Sequence, residues 1–217
     1  MGRNYTPMLF EYFQTRYFTM FKIFLLGSYV ILSFQLYATD SMVNYKIAML
    51  CAEAESWIGV LEEGTNSGQL VEMFQRAVDN KAEKEPWCMS FVQYCIKMTE
   101  QKFPKIFHER TASISTIFRS EHCLTTWNKS PHLRIEKPLK GSLCIWQRYE
   151  GQKATASGHT GIIIEVHDDG GISVVEGNTN SGQAIESERD GVHLKRYNIG
   201  EVDHGALVLK GYLRVWL

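Results

Sequence analysis

Apolar residues recur at helical spacing early in the chain and at strand spacing after Gly141, and that change of period is the tightest constraint on the fold. Ile47, Leu50, Cys51, Ala54, Ile58 and Leu61 mark one face of a helix over Met42–Glu62. Gly64-Thr65-Asn66-Ser67-Gly68 interrupts it with loop chemistry. Leu70, Val71, Phe74 and Ala77 predict a second helix over Gln69–Val78, and Phe91, Val92, Cys95 and Ile96 a third over Cys88 to about Met98. Ile114, Ile117, Phe118 and Leu124 suggest a helix over Thr111–Trp127, and Pro131–Lys140 reads as irregular. Short strand-like runs then follow at Leu143–Trp146, His159–Val166, Ile172–Glu176, Val192–Leu194 and Ala206–Trp216. Helices first and an antiparallel sheet afterwards predict an α+β fold with the helices packed on one side of the sheet.

The first forty residues have a different character. Met20-Phe21-Lys22 leads into an apolar run from Ile23 to Phe34, and Ala38 offers a small residue for cleavage. This predicts an export signal or membrane anchor over 1–40, followed by a single domain over 41–217. A net charge of -1 and the lack of any Lys/Arg block argue against nucleic acid as a partner. Membrane contact is expected only through the N-terminal segment, and the domain is expected to be monomeric. Five cysteines in an exported chain leave one thiol over. If Cys88 stays free, Cys51, Cys95, Cys123 and Cys144 can form up to two bridges or remain reduced. With His108, His122 and His132 they make no zinc spacing, and His167, His193 and His204 read as surface or strand-end residues. No metal or cofactor is expected.

Cys88 sits where chemistry is favoured. Pro86 belongs at or just before a helix start, so Cys88 falls in the first turn, where free N–H groups and the helix dipole favour a thiolate. A nucleophilic cysteine needs a base within hydrogen-bond reach, and that base needs a third group to fix its ring. The turn signal Asp168-Asp169-Gly170-Gly171 supplies a route to both. Centred on Asp169-Gly170, the hairpin pairs residues whose numbers sum to 339 and sets His159 opposite Asn180. Glu176 and Asn178 then share the face of His159, and either could hold the imidazole. A slip by one residue would put them on the wrong face. Gly158 and Gly161 either allow close substrate approach or relieve crowding at a strand start. Trp87 and Trp146 are candidates for lining a substrate cleft.

Pro86-Trp87-Cys88-Met89-Ser90-Phe91-Val92 resembles the nucleophile box of the cysteine- and histidine-dependent amidohydrolase/peptidase (CHAP) family, a papain-like group. Gly158-His159-Thr160-Gly161-Ile162-Ile163 is similar to its histidine strand, and Val175-Glu176-Gly177-Asn178-Thr179-Asn180 to its Glu–Gly–Asn turn. Ile58-Gly59-Val60-Leu61-Glu62, with Asn66 and Gly68, looks like the helix and loop found upstream in many members. The likeness spans about residues 44–216. It implies a papain-like fold and hydrolysis of a peptidoglycan amide, with Cys88 as nucleophile, His159 as base, and Glu176 and Asn178 as third and fourth members of the site. Some members bind calcium in an acidic loop before the cysteine, but Lys81–Pro86 lacks closely spaced aspartates and a glycine. Two other outcomes fit the same residues: a toxin cleaving another peptide amide, and an idle envelope-binding protein that keeps the fold.

Overall fold

The computed structural model describes residues 41–103, 115–181, 189–198, 203 and 206–217. Residues 41–55 are helical (α1), followed by α2 (Gln69–Asp79), α3 (Cys88–Lys102) and α4 (Cys123–Lys129). Six strands come next: β1 (Arg134–Ile135), β2 (Leu143–Glu150), β3 (Lys153–Val166), β4 (Ile172–Thr179), β5 (Gly191–Tyr197) and β6 (Leu207–Leu213). They form one antiparallel sheet in the order β1-β6-β2-β3-β4-β5. This is the α+β, papain-like arrangement expected. Val43–Leu217 make up one compact unit. The Met20–Ala38 segment lies outside the described residues, as do His108 and His204. No helix among the described residues is long and apolar enough to cross a membrane.

Packing explains why α3 is central. Every residue from Cys88 to Ile96 is buried, so this helix is covered on all sides rather than along one stripe. Its apolar face meets α2 and the sheet at β3 and β4. Phe74 of α2 stacks on Trp87 with ring centroids 5.6 Å apart and meets Phe91 edge-on at 5.2 Å. Aromatic pairs of this kind add ~0.5–1.5 kcal/mol beyond their area burial. A second apolar cluster lies on Cys144, Trp146, Ile163, Ile172 and Val174, residues alternating with those that face the helices.

Three expected helix boundaries move, each because the backbone finds partners elsewhere. Residues past 55 leave α1, and Gly59 and Val60 exchange hydrogen bonds with Val192 (2.9 and 2.8 Å), so this stretch borders β5 instead of continuing to Glu62. The predicted helix over Thr111–Trp127 is helical only from Cys123 to Lys129. Residues 111–114 lie outside the described residues, and 115–117 pair with the chain end through Ile117 N–H to Val215 O (3.2 Å) and Leu217 N–H to Ser115 O (3.1 Å). The span Pro131–Lys140 is not wholly irregular, since a short 3-10 turn leads into β1. β3 begins at Lys153, ahead of its apolar run, as an exposed polar hairpin with β2.

Candidate active site

The start of α3 is held from three directions. Trp87 is its N-cap residue and supplies no capping side chain of its own. Asn178, from the end of β4, takes that role by accepting the Trp87 backbone N–H at 3.0 Å. Its amide nitrogen donates to Glu62 (3.2 Å) and to Asn66 (3.0 Å). Asn178 has φ 58, a left-handed conformation that asparagine tolerates better than most residues. That twist turns its side chain out of the strand pattern toward Trp87. Glu62 is only 6% exposed, and its carboxylate accepts the Trp87 indole N–H at 2.7 Å and the Asn66 backbone N–H at 2.9 Å. A buried carboxylate is tolerable only with such donors. The residue preceding the candidate nucleophile is therefore clamped through both its backbone and its ring.

His159 and Glu176 meet as expected, through a different register. The β3–β4 connection is a five-residue loop, with His167 N–H to Gly171 O at 2.8 Å and Gly170 N–H to His167 O at 2.9 Å. Val166 therefore faces Ile172, which is one residue off the predicted pairing. A bulge between Ile163 and Glu165 shifts the ladder by one more, so Ile162 faces Val175. The two slips cancel in parity, and His159 and Glu176 keep a common face. Their side chains are 2.9 Å apart, Nε2 to Oε2. Glu176 is wholly buried and also accepts the Tyr197 hydroxyl at 2.7 Å, with Lys195 Nζ at 3.6 Å. The choice left open by sequence resolves to Glu176 as the partner of the imidazole, while Asn178 serves the helix. Gly161 relieves crowding, because a Cβ there would lie 2.6 Å from Glu176 Cγ and 2.5 Å from Val174 Cγ1.

The Cys88 sulfur lies 3.6 Å from that of Cys123, and the His159 imidazole and the Met89 backbone N–H both act to lower its pKa. The hydrogen bond with Cys123 is the largest influence and lowers the Cys88 pKa. Burial opposes it, and the hydrogen bond and charge of His159 add to it, leaving the thiol well below its ordinary 9.0. Burial works to lower the His159 pKa, but Cys88 and Glu176 outweigh it and hold the imidazole at about 10. Burial likewise works to raise the pKa of Glu176, and the His159 hydrogen bond and charge pull it below 4.5. These shifts all favour a thiolate, an imidazolium and a carboxylate as neighbours at neutral pH. All five cysteines are free. In Cys95 and Cys144 burial dominates and keeps the thiol protonated, and Cys51 is pushed up to about 11 for the same reason.

An open cleft of about 800 Å³ exposes this group, lined among others by Cys88, Cys123, Arg148, His159 and Asn178. The expectation that Trp87 and Trp146 line it is corrected. Both are completely buried, Trp87 in the aromatic cluster over α2 and Trp146 behind the imidazole. Trp146 is the cross-strand partner of His159, with ring centroids 5.7 Å apart, and it also packs on Tyr197 at 5.6 Å. His122 does line the cleft, whereas His132 bonds Ser115 and His167 bonds Ser173.

Sequence reasoning gave no role in the site to Glu62, Cys123, Lys195 or Tyr197. Lys195 and Tyr197 alternate with His193, the partner of Glu176, so strand parity could have found them had the β4–β5 register been known. Glu62 and Cys123 lie on other elements, and no spacing points to them. Neither the curated proteins nor the solved structures contain a match to this chain. Residues 80–178 match the family model of the CHAP domain. That stretch contains Cys88, His159, Glu176 and Asn178, and over it the chain is similar to the CHAP domain.

Proposed function

We propose that this protein is an exported cell-wall hydrolase that cleaves an amide bond of peptidoglycan through an acyl-enzyme on Cys88. The observation that carries this reading is the presence of Cys88 and His159 together in the wall of an open cleft, with Glu176 buried against the imidazole at 2.9 Å. The Cys88 thiolate attacks the carbonyl carbon of the scissile amide. Backbone N–H groups at the start of α3 receive the oxyanion. The His159 imidazolium gives its proton to the leaving nitrogen, the C–N bond breaks and a thioester remains. Neutral His159 then takes a proton from water, the resulting hydroxide attacks the thioester, and the thiolate leaves. Glu176 keeps the ring oriented and balances its charge throughout.

The cleft suits a peptide bearing charges of both signs. Arg148 lines it, and no ion pair engages its guanidinium among the described residues, while Glu85, Glu121 and Asp190 line the same space. Stem peptides carry both carboxylates and amines. Residues 41–217 serve as the hydrolase domain, acting as a monomer, and 1–40 as the export signal or anchor. The test is mass spectrometry of fragments released from purified peptidoglycan. New amino and carboxyl ends from one amide bond are expected. Release of new reducing sugar ends alone, or of nothing, would overturn the reading.

A further inference from the structure

Cys123 is the feature of this site that no role above absorbs. It lies at the start of α4, 5% exposed, with its sulfur 3.6 Å from that of Cys88. Its placement is fixed from behind. Leu124 packs over Gly158, Trp127 lies over Gly211, and Arg134 covers the Trp127 ring at 4.4 Å while donating to Trp127 O at 2.9 Å. No disulfide joins the two sulfurs, so one of them must present its hydrogen to the other or both must simply touch.

We propose that Cys123 is a positioning residue for the reaction, its S–H donating to the Cys88 sulfur so that the nucleophile has a second side-chain partner besides His159. A hydrogen bond to an ionised acceptor is roughly twice as strong as a neutral one. Cys88 is only 5% exposed, which leaves little room for water to replace that donor. The two thiols also divide their protons in the required sense, with Cys123 held well above and Cys88 well below the ordinary thiol value. Cys123 therefore keeps its proton where Cys88 gives its own up.

The inference rests on Cys88 being the nucleophile. The groups that face Cys88 are His159 from β3, backed by Glu176, and Cys123 from α4. Glu62, Glu85, Glu121, His122, Arg148 and Asp190 line the same cleft. The experiment follows iodoacetamide labelling of Cys88 against pH, by peptide mapping, in the full chain and in C123A and C123S. Thermal melts of all three establish that they fold. The full chain should label on an acidic limb, well below pH 9.0. In C123A labelling below that limb should slow by about tenfold or more, with an unchanged alkaline plateau. C123S keeps a donor and should recover most of the lost rate. A wild-type limb in C123A, or equal loss in both variants, would show that Cys123 only fills space. An ordinary thiol limb in the unmodified chain would instead remove the reading of Cys88 on which the inference stands.

Discussion

Cys88 and Cys95 lie seven residues apart on one buried stretch of α3, and their thiols behave oppositely. Cys88 is 5% exposed and Cys95 is 0% exposed, so burial hardly separates them. At Cys95 burial is the dominant influence and keeps the proton on. At Cys88 the same penalty is outweighed by donors from three elements: Cys123, His159 and the Met89 N–H. The helix alone makes no nucleophile. What converts a thiol into a thiolate is the convergence of groups from α4 and β3 on its open end.

The strongest way to break this contrast is to remove each sulfur in turn. C88A should lower amide hydrolysis by ~10³-fold or more, as loss of a nucleophile does in other hydrolases. C95A should leave hydrolysis within about threefold of the full chain and cost only ~1 kcal/mol of stability, the usual scale for a small core truncation. Equal losses in the two variants, measured on purified peptidoglycan, would show that the difference between the sites is not chemical.

A second, smaller effect tests the support behind His159. E176Q keeps the shape of the side chain and removes the charge that helps hold the imidazole at about 10. Hydrolysis should fall by ~10²-fold or more, the scale of lost general acid–base catalysis. The alkaline limb of the pH–rate profile, set by loss of the imidazolium proton near pH 10, should move to lower pH. An unshifted limb would mean that Glu176 does not set the charge of His159.

Asn178 tests the clamp rather than the chemistry. N178A removes the acceptor of the Trp87 N–H and one donor to buried Glu62. Chemical denaturation should show a loss of ~1–3 kcal/mol, the cost of leaving buried polar groups unpaired. The pH limbs should stay in place. The smallest effect is on stability against acid. Glu176 has its pKa lowered from 4.5 on folding, so its contribution is present above pH 4.5 and is lost as pH falls below it. E176Q should lack that part of the acid-side slope in urea titrations at successive pH values.

Much of this was legible in the chain. Cys88 after Pro86 and the helical spacing behind it located α3, and the change of period at Gly141 gave the α+β order. His159 and Glu176 were placed on one face correctly, though the predicted pairing missed a five-residue loop and a bulge whose slips add to two residues. Parity survives an even number of slips, whereas exact pairing does not. The division of labour between Glu176 and Asn178 was not legible, because it depends on the positive φ of Asn178, which takes its side chain out of the strand alternation. The two tryptophans were misplaced for a related reason. Trp146 does stand opposite His159, but on a face closed by Ile163, Val174 and Tyr197, so it supports the ring from behind. Cys123 and Glu62 become neighbours of the site only through tertiary packing, which no local pattern encodes.

The paired ionisation of Cys88 and His159 is tested most directly by titrating the ultraviolet absorbance of the thiolate in the full chain and in C88S. The full chain should show one thiolate step well below pH 9.0 that is missing from C88S, since the other four sulfurs are held protonated. A first step at pH 9.0 or above, or a low step that persists in C88S, would contradict it.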